Sequence, residues 1–397
     1  MRPVFHEKST AITGIGLSEV GRPSRRGALE LTADACLEAL ADAGLRPADI
    51  DGLATWPGNM DNGSGFAPVG NNDVKHMLGL EVDWHADGRG TAGQIGAVAN
   101  AAAAIAAGYC RHVLIFRTIC EATARVANRQ AAQAQFGGAN ARAWGVYQWL
   151  QPMKANSPAI WIALYAQKHF HQYGTRPEQL AQIALNARRN AGRNPKAALR
   201  KPLTLDDYLQ ARIISSPLRL YDCDLPVDGC TAIVLSHIDA ARDLPNPPLR
   251  LEAVGAALHR SDSWFRLEDL TVLGHDAARM MWSRTTMKPH EIDVAQVYDG
   301  FSILTLLWLE SLGFCGRGES GAFVEGGHNI ALDGRLPINT GGGQLSAGRL
   351  HGYGHLHEAC MQLWGRGGER QVPKPVRSSV VSNNAAGSTG CMLLVRE

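Results

Sequence analysis

Short apolar segments alternate with helix-type segments along the chain, and this alternation limits the fold more than any other feature of the sequence. In the first part, the strand-like segments 10–15 and 112–118 flank segment 29–43, whose apolar residues recur at helical spacing. The pattern resumes in LRLEAVGAAL, and the chain ends on a strand-like CMLLVRE. Such alternation is typical of layered α/β folds, in which helices cover the faces of a sheet. The sequence therefore predicts an α/β fold.

A proline-rich segment divides this pattern into two parts. ARDLPNPPLR carries three prolines in ten residues, which is typical of a boundary between structural units. A length of 397 residues also suits two domains. We therefore predict an N-terminal half over 1–245 and a C-terminal half over 246–397.

An irregular stretch interrupts the first half. Residues 120–154 are rich in Ala, Gln, Gly and Trp and have no clean period, and two helix-type segments follow them. We interpret about 118–200 as an inserted loop region, where substrate-facing residues often lie. Its tryptophans are candidates to line a large apolar pocket, although scattered tryptophans are ordinarily core or interface residues. They are Trp144, Trp149 and Trp161.

Charge and cysteine usage exclude several classes of protein. Lys and Arg number 39 against 37 Asp and Glu, so no basic surface for nucleic acid is indicated. The eight cysteines form no CxxC pair, which argues against a zinc ribbon or a redox dithiol. The first residues lack the features of a signal peptide, and the least polar run, 91–108, contains Gln94 and Asn100 and does not suit a membrane span. We expect a cytoplasmic protein with reduced, buried thiols.

Three longer segments carry a recognisable pattern, and through them the sequence resembles the thiolase superfamily. They are PLTLDDYLQARIISSPLRLYDCDLPVDGCTAIVL, VAQVYDGFSILTLLWLESLGFC and LDGRLPINTGGGQLSAGRLHGYGHLHEA. The pattern is most similar to the branch of sterol-carrier-protein X thiolases and bacterial lipid-transfer proteins. This resemblance implies a thiolase fold of two βαβαβαββ halves in a five-layered αβαβα arrangement, paired as a homodimer. The apolar strand at 112–118 is then expected at the dimer edge.

The sequence departs from this family at the three positions that carry thiolase chemistry. Gly90 stands at the position of the nucleophilic cysteine, Arg349 at that of the catalytic histidine and Asn384 at that of the second cysteine. Glycine cannot be acylated. Thr91 has no adjoining histidine in the sequence and is more typical of a helix cap. We therefore do not expect thiolysis through an acyl-cysteine.

Two tyrosines remain in the segments that the resemblance assigns to the active site. Tyr298 and Asp299 occupy the loop that lies beside the acyl group in sterol-carrier thiolases, and Tyr353 follows the loop that would hold the catalytic histidine. A tyrosine at a strand end is ordinarily a buried ring with a bonded hydroxyl. Their place in site loops nevertheless makes both tyrosines candidate acid/base catalysts.

Other polar and glycine residues of these segments are candidates for supporting roles. His355 or His357 is a candidate proton relay to Tyr353, and a zinc site is not expected because only Glu358 is near and no cysteine adjoins. The glycines either make tight turns or, as in the family, bring backbone amides to the thioester oxygen. The candidate substrate or oxyanion-binding set is Gly90, Thr91, Asp299, Gly342, Gly343, Arg349, His351, Asn384 and Gly387.

The chemistry that survives these replacements is carbon–carbon cleavage through a CoA enolate without a covalent intermediate. The resemblance implies an aldolase that splits a β-hydroxyacyl-CoA, of the steroid side-chain type, into a ketone and a short acyl-CoA. It also implies a small partner with an OB-fold and a zinc ribbon, in a heterotetramer, and no cofactor beyond the CoA of the substrate. Two alternatives stay open, a non-catalytic scaffold subunit and a lipid- or acyl-CoA-binding protein.

Overall fold

Strands and helices alternate in the computed structural model, which describes residues 5–59, 63–88, 92–127, 147–155, 157–258, 267, 270, 274–386 and 388–397. The strands are β1 (Thr10–Leu17), β2 (Gly52–Thr55), β3 (Trp84–Ala86), β4 (His112–Cys120), β5 (Ile213–Ser215), β6 (Leu218–Arg219), β7 (Asp228–His237), β8 (Leu249–Leu258), β9 (Val294–Gln296), β10 (Ser378–Ala386) and β11 (Ser388–Arg396).

Helices connect these strands and cover them. They are α1 (Ala28–Ala43), α2 (Asn71–Leu78), α3 (Gly96–Ala106), α4 (Glu121–Ala127), α5 (Tyr147–Leu150), α6 (Pro158–Tyr173), α7 (Pro177–Gly192), α8 (Leu205–Gln210), α9 (Ile238–Ala241), α10 (His275–Ser283), α11 (Ser302–Ser311), α12 (Ser320–Val324) and α13 (Tyr353–Leu363). Most of the predicted segments are present, and β3 and α2 are elements that the sequence pattern did not reveal.

The main sheet repeats one pattern of strands twice. Its order is β3-β2-β4-β7-β1-β8-β11-β10-β9. In the first part β2 is parallel to β4, and β7 is antiparallel to both β4 and β1. In the second part β9 is parallel to β10, and β11 is antiparallel to both β10 and β8. Within the described residues, the two parts of the sheet are joined where Ala11 and Ile12 pair with Arg250 and Leu249.

Two helices are buried between the two parts of the sheet. Apolar side chains of α3 and α13 share one core cluster with strands of both parts. Helix α1 covers the outer face of the first part, and α10 and α11 cover that of the second. The five-layered αβαβα arrangement that the sequence predicts is therefore confirmed. The boundary at residues 245 and 246 stays a prediction.

Glycine lets the start of α3 lie directly on β11. A Cβ atom on Gly390 would lie 2.1 Å from the carbonyl oxygen of Ala92, closer than real Cβ contacts. A Cβ atom on Gly93, where φ is +65°, would lie 2.6 Å from Oδ1 of Asn383. These positions bring the N-terminal end of α3 against β10 and β11.

The structure corrects the expectation that the strand at 112–118 forms a sheet edge. This strand, β4, lies between β2 and β7, so its apolar run reflects burial on both faces inside the sheet. Among the described residues the outer strands of the main sheet are β3 and β9.

The insertion over about 118–200 stays a prediction, and much of its described part is helical. Helices α4 and α5 lie within its described part, and α6 and α7 follow. Trp144 lies outside the described residues, and Trp149 is 78% exposed. Trp161 is buried, and its indole N–H donates to the carbonyl of Ala155 at 2.6 Å. None of the described helices is long and apolar enough to cross a membrane.

Candidate active site

Both candidate tyrosines lie where the N-terminal ends of the two buried helices meet. The Nε2 of Gln94 donates to the hydroxyl of Tyr298 at 3.4 Å. The amide oxygen of Asn383 accepts from the backbone N–H groups of Gln94 and Ile95, at 2.5 Å each, in the orientation that also lets its NH2 group donate to a neighbouring strand. Asn383 also packs against Gly352, the residue before Tyr353. A continuous chain of contacts therefore connects the two tyrosines.

Tyr298 is a buried phenol in a partly acidic environment. It is 6% exposed, and burial raises its pKa to about 12. The carboxylate of Asp224 opposes ionisation as well, whereas the amide of Gln94 and the guanidinium of Arg349 favour it. The resting group is therefore a neutral phenol, suited to donate a hydrogen bond or a proton.

Asp299 is held by backbone amides beside Tyr298. Its carboxylate accepts from the N–H of Gln344 at 2.9 Å and from that of Leu345 at 3.5 Å. Gly343 permits this approach, because a Cβ atom there would lie 1.9 Å from Oδ2 of Asp299. Its positive φ of 57° also favours glycine. The glycine cluster thus turns the following amides toward a carboxylate of the protein.

His355 faces Asp299, and its predicted role as a relay to Tyr353 stays a prediction. Its Nε2 lies 3.0 Å from Oδ1 of Asp299, but the ring is not aligned for a hydrogen bond and neither of its nitrogens has a partner. The rings of His355 and Tyr298 are 6.4 Å apart between centroids. His355 therefore belongs to the surroundings of Tyr298.

Arg349 is bound by two carboxylates, and its predicted place in the substrate or oxyanion-binding set stays a prediction. Its Nε donates to Glu121 at 2.8 Å, and its Nη1 donates to Asp224 at 3.1 Å. Burial raises the pKa of Asp224 to about 6 against the opposing effect of Arg349. The ion pairs raise the pKa of Arg349 despite its burial. This arginine fixes two acidic residues near Tyr298.

Tyr353 is a buried phenol whose pKa is influenced by the charge of Arg117. It is fully buried, its hydroxyl has no partner among the described residues, and burial raises its pKa while Arg117 lowers it. Arg117 lies over the rings of Phe66 and Trp56, at 4.8 and 5.4 Å. Its Nη2 lies 2.9 Å from Nδ1 of His351, whose pKa is well below its usual value because of burial and of this charge.

The site contains many buried polar atoms that the described residues leave without a partner. Buried polar groups of native proteins are nearly always hydrogen-bonded, so such a cluster is typical of a ligand-binding site. The atoms are Nε1 of Trp56, Oε1 of Gln94, Nε of Arg117, both amide atoms of Gln344, the hydroxyl of Tyr353 and both ring nitrogens of His355.

Several other predicted residues have different surroundings or are not described. The N–H of Gly342 already donates to the carbonyl of Asn339, which corrects its predicted oxyanion role. His357 is buried with its pKa lowered to about 3, mainly by burial. Gly90, Thr91 and Gly387 lie outside the described residues, and of Asn384 only the backbone, in β10, is described.

No cysteine of this region is poised to react. Cys391, the thiol next in sequence to Asn384, is buried on β11, and burial raises its pKa. Burial likewise raises the pKa of Cys120 and of Cys223 to about 12. No group of three metal-ligating side chains is present within the described residues. The arrangement therefore offers phenols, a carboxylate, an imidazole and guanidinium groups.

An arginine-lined cavity of about 470 Å³ leads toward the Tyr298 side of the site. Its lining includes Arg349, Asp224 and Phe301. It also includes Arg22, Arg125, Arg188 and Arg212. A second cavity, of about 610 Å³, is lined by His355 and other residues of α13. Excess positive charge in the first cavity suits an anionic ligand.

Sequence reasoning missed the residues that surround the tyrosines. Arg117, Trp56, Gln94, Asp224 and Asn383 are distant from both tyrosines in the sequence. One signal was available, because Arg117 interrupts an otherwise apolar strand, and a charge in a buried strand is seldom without a function or a partner.

Comparisons with known proteins agree with this architecture. A family model described as Thiolase C-terminal domain-like matches residues 256–396. The chain is 34% identical to the "Steroid side-chain-cleaving aldolase" of Thermomonospora curvata, over 97% of both chains. It is 34% identical to the "17-hydroxy-3-oxo-4-pregnene-20-carboxyl-CoA lyase" of Mycobacterium tuberculosis, over 89% of this chain and 91% of that protein. A solved structure titled "Ltp2-ChsH2(DUF35) aldolase" superposes with a TM-score of 0.84 and 31% identity over 98% of both chains.

Proposed function

The chain belongs to the thiolase superfamily, in the branch of lipid-transfer-protein aldolases, and from this membership we propose that it cleaves a β-hydroxyacyl-CoA by a retro-aldol reaction. One observation carries the proposal. Two buried tyrosines, Tyr298 and Tyr353, lie where the N-terminal ends of α3 and α13 meet, and the described residues there offer no reactive thiolate. Phenols can transfer protons, whereas acyl transfer through cysteine needs a thiolate.

The reaction then needs only proton transfers and stabilisation of an enolate. A base removes the proton of the β-hydroxyl group, the bond between Cα and Cβ breaks, and a ketone leaves. The electron pair of that bond forms the CoA enolate, which takes a proton at Cα to give the shorter acyl-CoA. Tyr298 and Tyr353 act as the acid and the base, and the unpaired donors around them bind the developing oxyanion.

The substrate that we propose is the CoA thioester of a steroid side chain. Both named relatives act on steroids according to their names, and each covers most of this chain. The arginine-lined cavity supports a CoA thioester, because phosphate groups bind well to guanidinium groups. In this cavity the pantetheine arm would lead the thioester past Arg349 toward Tyr298.

We also propose an assembly. The solved aldolase that superposes on this chain is titled as a complex with a DUF35 protein. We infer a homodimer that carries a small OB-fold and zinc-ribbon partner on each subunit, as a heterotetramer in the cytoplasm. No cofactor is needed beyond the CoA of the substrate, because none of the proposed steps is a redox reaction.

An assay of carbon–carbon cleavage tests the proposed function. The purified chain, alone and with its co-purified partner, is mixed with a steroid β-hydroxyacyl-CoA, and the ketone and the released acyl-CoA are measured by mass spectrometry. We expect both products in equal amounts. Tight binding without products would instead indicate an acyl-CoA-binding protein, and neither binding nor products would indicate a scaffold subunit.

A further inference from the structure

Two buried polar side chains, those of Gln344 and His355, line the cavity of about 610 Å³. Gln344 is 2% exposed and His355 is 3% exposed. Both amide atoms of Gln344 and both ring nitrogens of His355 are without an aligned hydrogen-bond partner among the described residues. Buried polar atoms that lack a protein partner are ordinarily bonded to ordered water. The cavity therefore has the polar walls that bound water needs.

The charges of this cavity are nearly balanced, unlike those of the arginine-lined cavity. Its lining has five basic and four acidic side chains, whereas that of the arginine-lined cavity has five basic side chains and one acidic side chain. A balanced lining does not select an anion and suits neutral contents such as water. At roughly 30 Å³ for each water molecule, the volume is sufficient for a chain of water. Three ion pairs lie in the lining, Lys196 with Glu38, Arg366 with Asp42 and Arg370 with Glu358.

The two polar side chains of the cavity also belong to the surroundings of Tyr298. Nε2 of His355 lies 3.0 Å from Oδ1 of Asp299, the residue that follows Tyr298. The rings of His355 and Tyr298 are 6.4 Å apart between centroids. The backbone N–H of Gln344 donates to Asp299 at 2.9 Å. Burial raises the pKa of Tyr298, and the side-chain amide of Gln344 lowers it. The contents of the cavity therefore lie next to the groups that surround Tyr298.

The proposed retro-aldol reaction requires protons to return between turnovers. The base takes up the proton of the β-hydroxyl group, whereas the proton that reaches Cα comes from the acid. After one turnover the base holds one proton too many and the acid lacks one, whichever of Tyr298 and Tyr353 takes which role. Both phenols are buried, so neither is in direct contact with bulk solvent. The resting state is restored only if protons travel along a path through the protein.

We propose that the cavity holds a chain of water that exchanges protons between solvent and Tyr298, with His355 as the proton carrier at its inner end. A neutral imidazole has one donor and one acceptor nitrogen, so it can take up a proton on one side and release a proton on the other. The carboxylate of Asp299 beside Nε2 stabilises the imidazolium that forms in between. His355 acts through Tyr298 and is therefore a positioning residue. The inference rests on the proposed function and deepens it, because it adds the return of the proton.

Chemical rescue tests this route in the complex with its partner. His355→Ala is expected to lower kcat on the order of 100-fold with KM nearly unchanged. Imidazole added to the solution can enter the vacated position through the cavity, and we expect it to restore kcat roughly tenfold, with saturation. A purely structural role of His355 would not give such a response. A loss of kcat that imidazole does not reverse would overturn the inference.

His169→Ala is the matched control for the rescue. His169 is also a buried histidine, but its Nδ1 lies 2.8 Å from Oγ1 of Thr175 and its Nε2 lies 3.0 Å from Oε1 of Glu310. We expect imidazole to recover none of the activity that this variant loses. Equal recovery in both variants would show that imidazole only fills a hole in the protein, and it would contradict the inference.

A second measurement needs no substrate and uses the wild type. Exchange of the Cε1 hydrogen of each histidine for deuterium, followed by mass spectrometry, reports the access of solvent to the imidazole. We expect His355 to exchange within roughly tenfold of the exposed His85, and His169 to exchange more slowly than that. Ala347→Leu places a larger side chain in the lining of the cavity and should slow the exchange of His355 alone. Exchange of His355 as slow as that of His169 would overturn the inference.

The two measurements separate this inference from the proposed function. If the wild type lacks lyase activity but His355 exchanges as fast as expected, the proposed function fails and the access of solvent to His355 stands. If the wild type is active but His355 exchanges as slowly as His169, the proposed function stands and the proton route is wrong.

Discussion

The surroundings of Tyr298 and Tyr353 differ in charge although the two phenols are similarly buried. Asp224 and Arg349 act on the pKa of Tyr298 in opposite directions, whereas Arg117 is the charged group that acts on the pKa of Tyr353. A carboxylate opposes formation of a phenolate, and a guanidinium favours it. Burial has the largest effect at both residues and raises both pKa values, so each phenol is neutral at rest.

Removal of either hydroxyl gives the largest expected effect. Tyr353→Phe and Tyr298→Phe keep the ring, so packing is nearly conserved, and each should reduce kcat on the order of 100- to 10,000-fold. Steady-state kinetics with circular dichroism of both variants checks this. Rates near wild type in both variants would refute the tyrosine mechanism. A loss of kcat only in Tyr353→Phe would assign proton transfer to Tyr353 alone.

A steric change at Gly343 tests the packing of Asp299, the residue that follows Tyr298. Gly343→Ala places a methyl group against the Asp299 carboxylate at a positive φ, and we expect a loss of about 3 kcal/mol in the free energy of unfolding. Gly79→Ala is the matched control, because Gly79 has a φ of 63° and nothing within 4 Å of its Cβ position. It should cost about 1 kcal/mol from strain alone. Urea unfolding measures the free energy of unfolding of both variants. Equal losses would contradict the close approach of the Asp299 carboxylate to Gly343.

The buried carboxyl group of Asp224 should make the stability of the protein depend on pH. The pKa of Asp224 is raised from 3.8 to about 6, so its contribution to stability is fully present below about pH 4 and is lost as pH rises toward 6. Relative to Asp224→Asn, the wild type should lose on the order of 2 kcal/mol over this range. Urea titrations at several pH values measure the difference. A constant difference would show that the carboxyl titrates normally in the folded protein.

Thiol modification should have the smallest effect, because neither tyrosine region depends on a reactive cysteine. Burial raises the pKa of Cys120, Cys223 and Cys315 to about 12, so few thiolates exist near neutral pH. Iodoacetamide should leave activity nearly intact, and mass spectrometry after incubation with acyl-CoA should find no acylated residue. The unfolded chain, in which thiols are exposed, is the control. A stable acyl adduct on any thiol would contradict the non-covalent mechanism.

Local pattern was enough to identify the elements of the fold. Apolar runs predicted β4 and β7, and helical spacing with a following glycine predicted α1, which ends at Gly44 with a positive φ of 68°. Such signals lie within about one helix or strand, because side-chain periodicity and backbone freedom are local properties. The short strand β3 and the helix α2 were missed, since short polar elements have little periodicity.

The chemistry of the site was determined in part by the sequence and in part only by tertiary structure. Matched motifs alone indicated the loss of the thiolase nucleophile and the two tyrosines. The same reasoning assigned supporting roles to Arg349 and His355 but could not show that Glu121, Asp224 and Asp299 lie beside them. Electrostatic effects act through space between residues far apart in sequence, so only the packing of the two halves decided which charged groups act on each tyrosine.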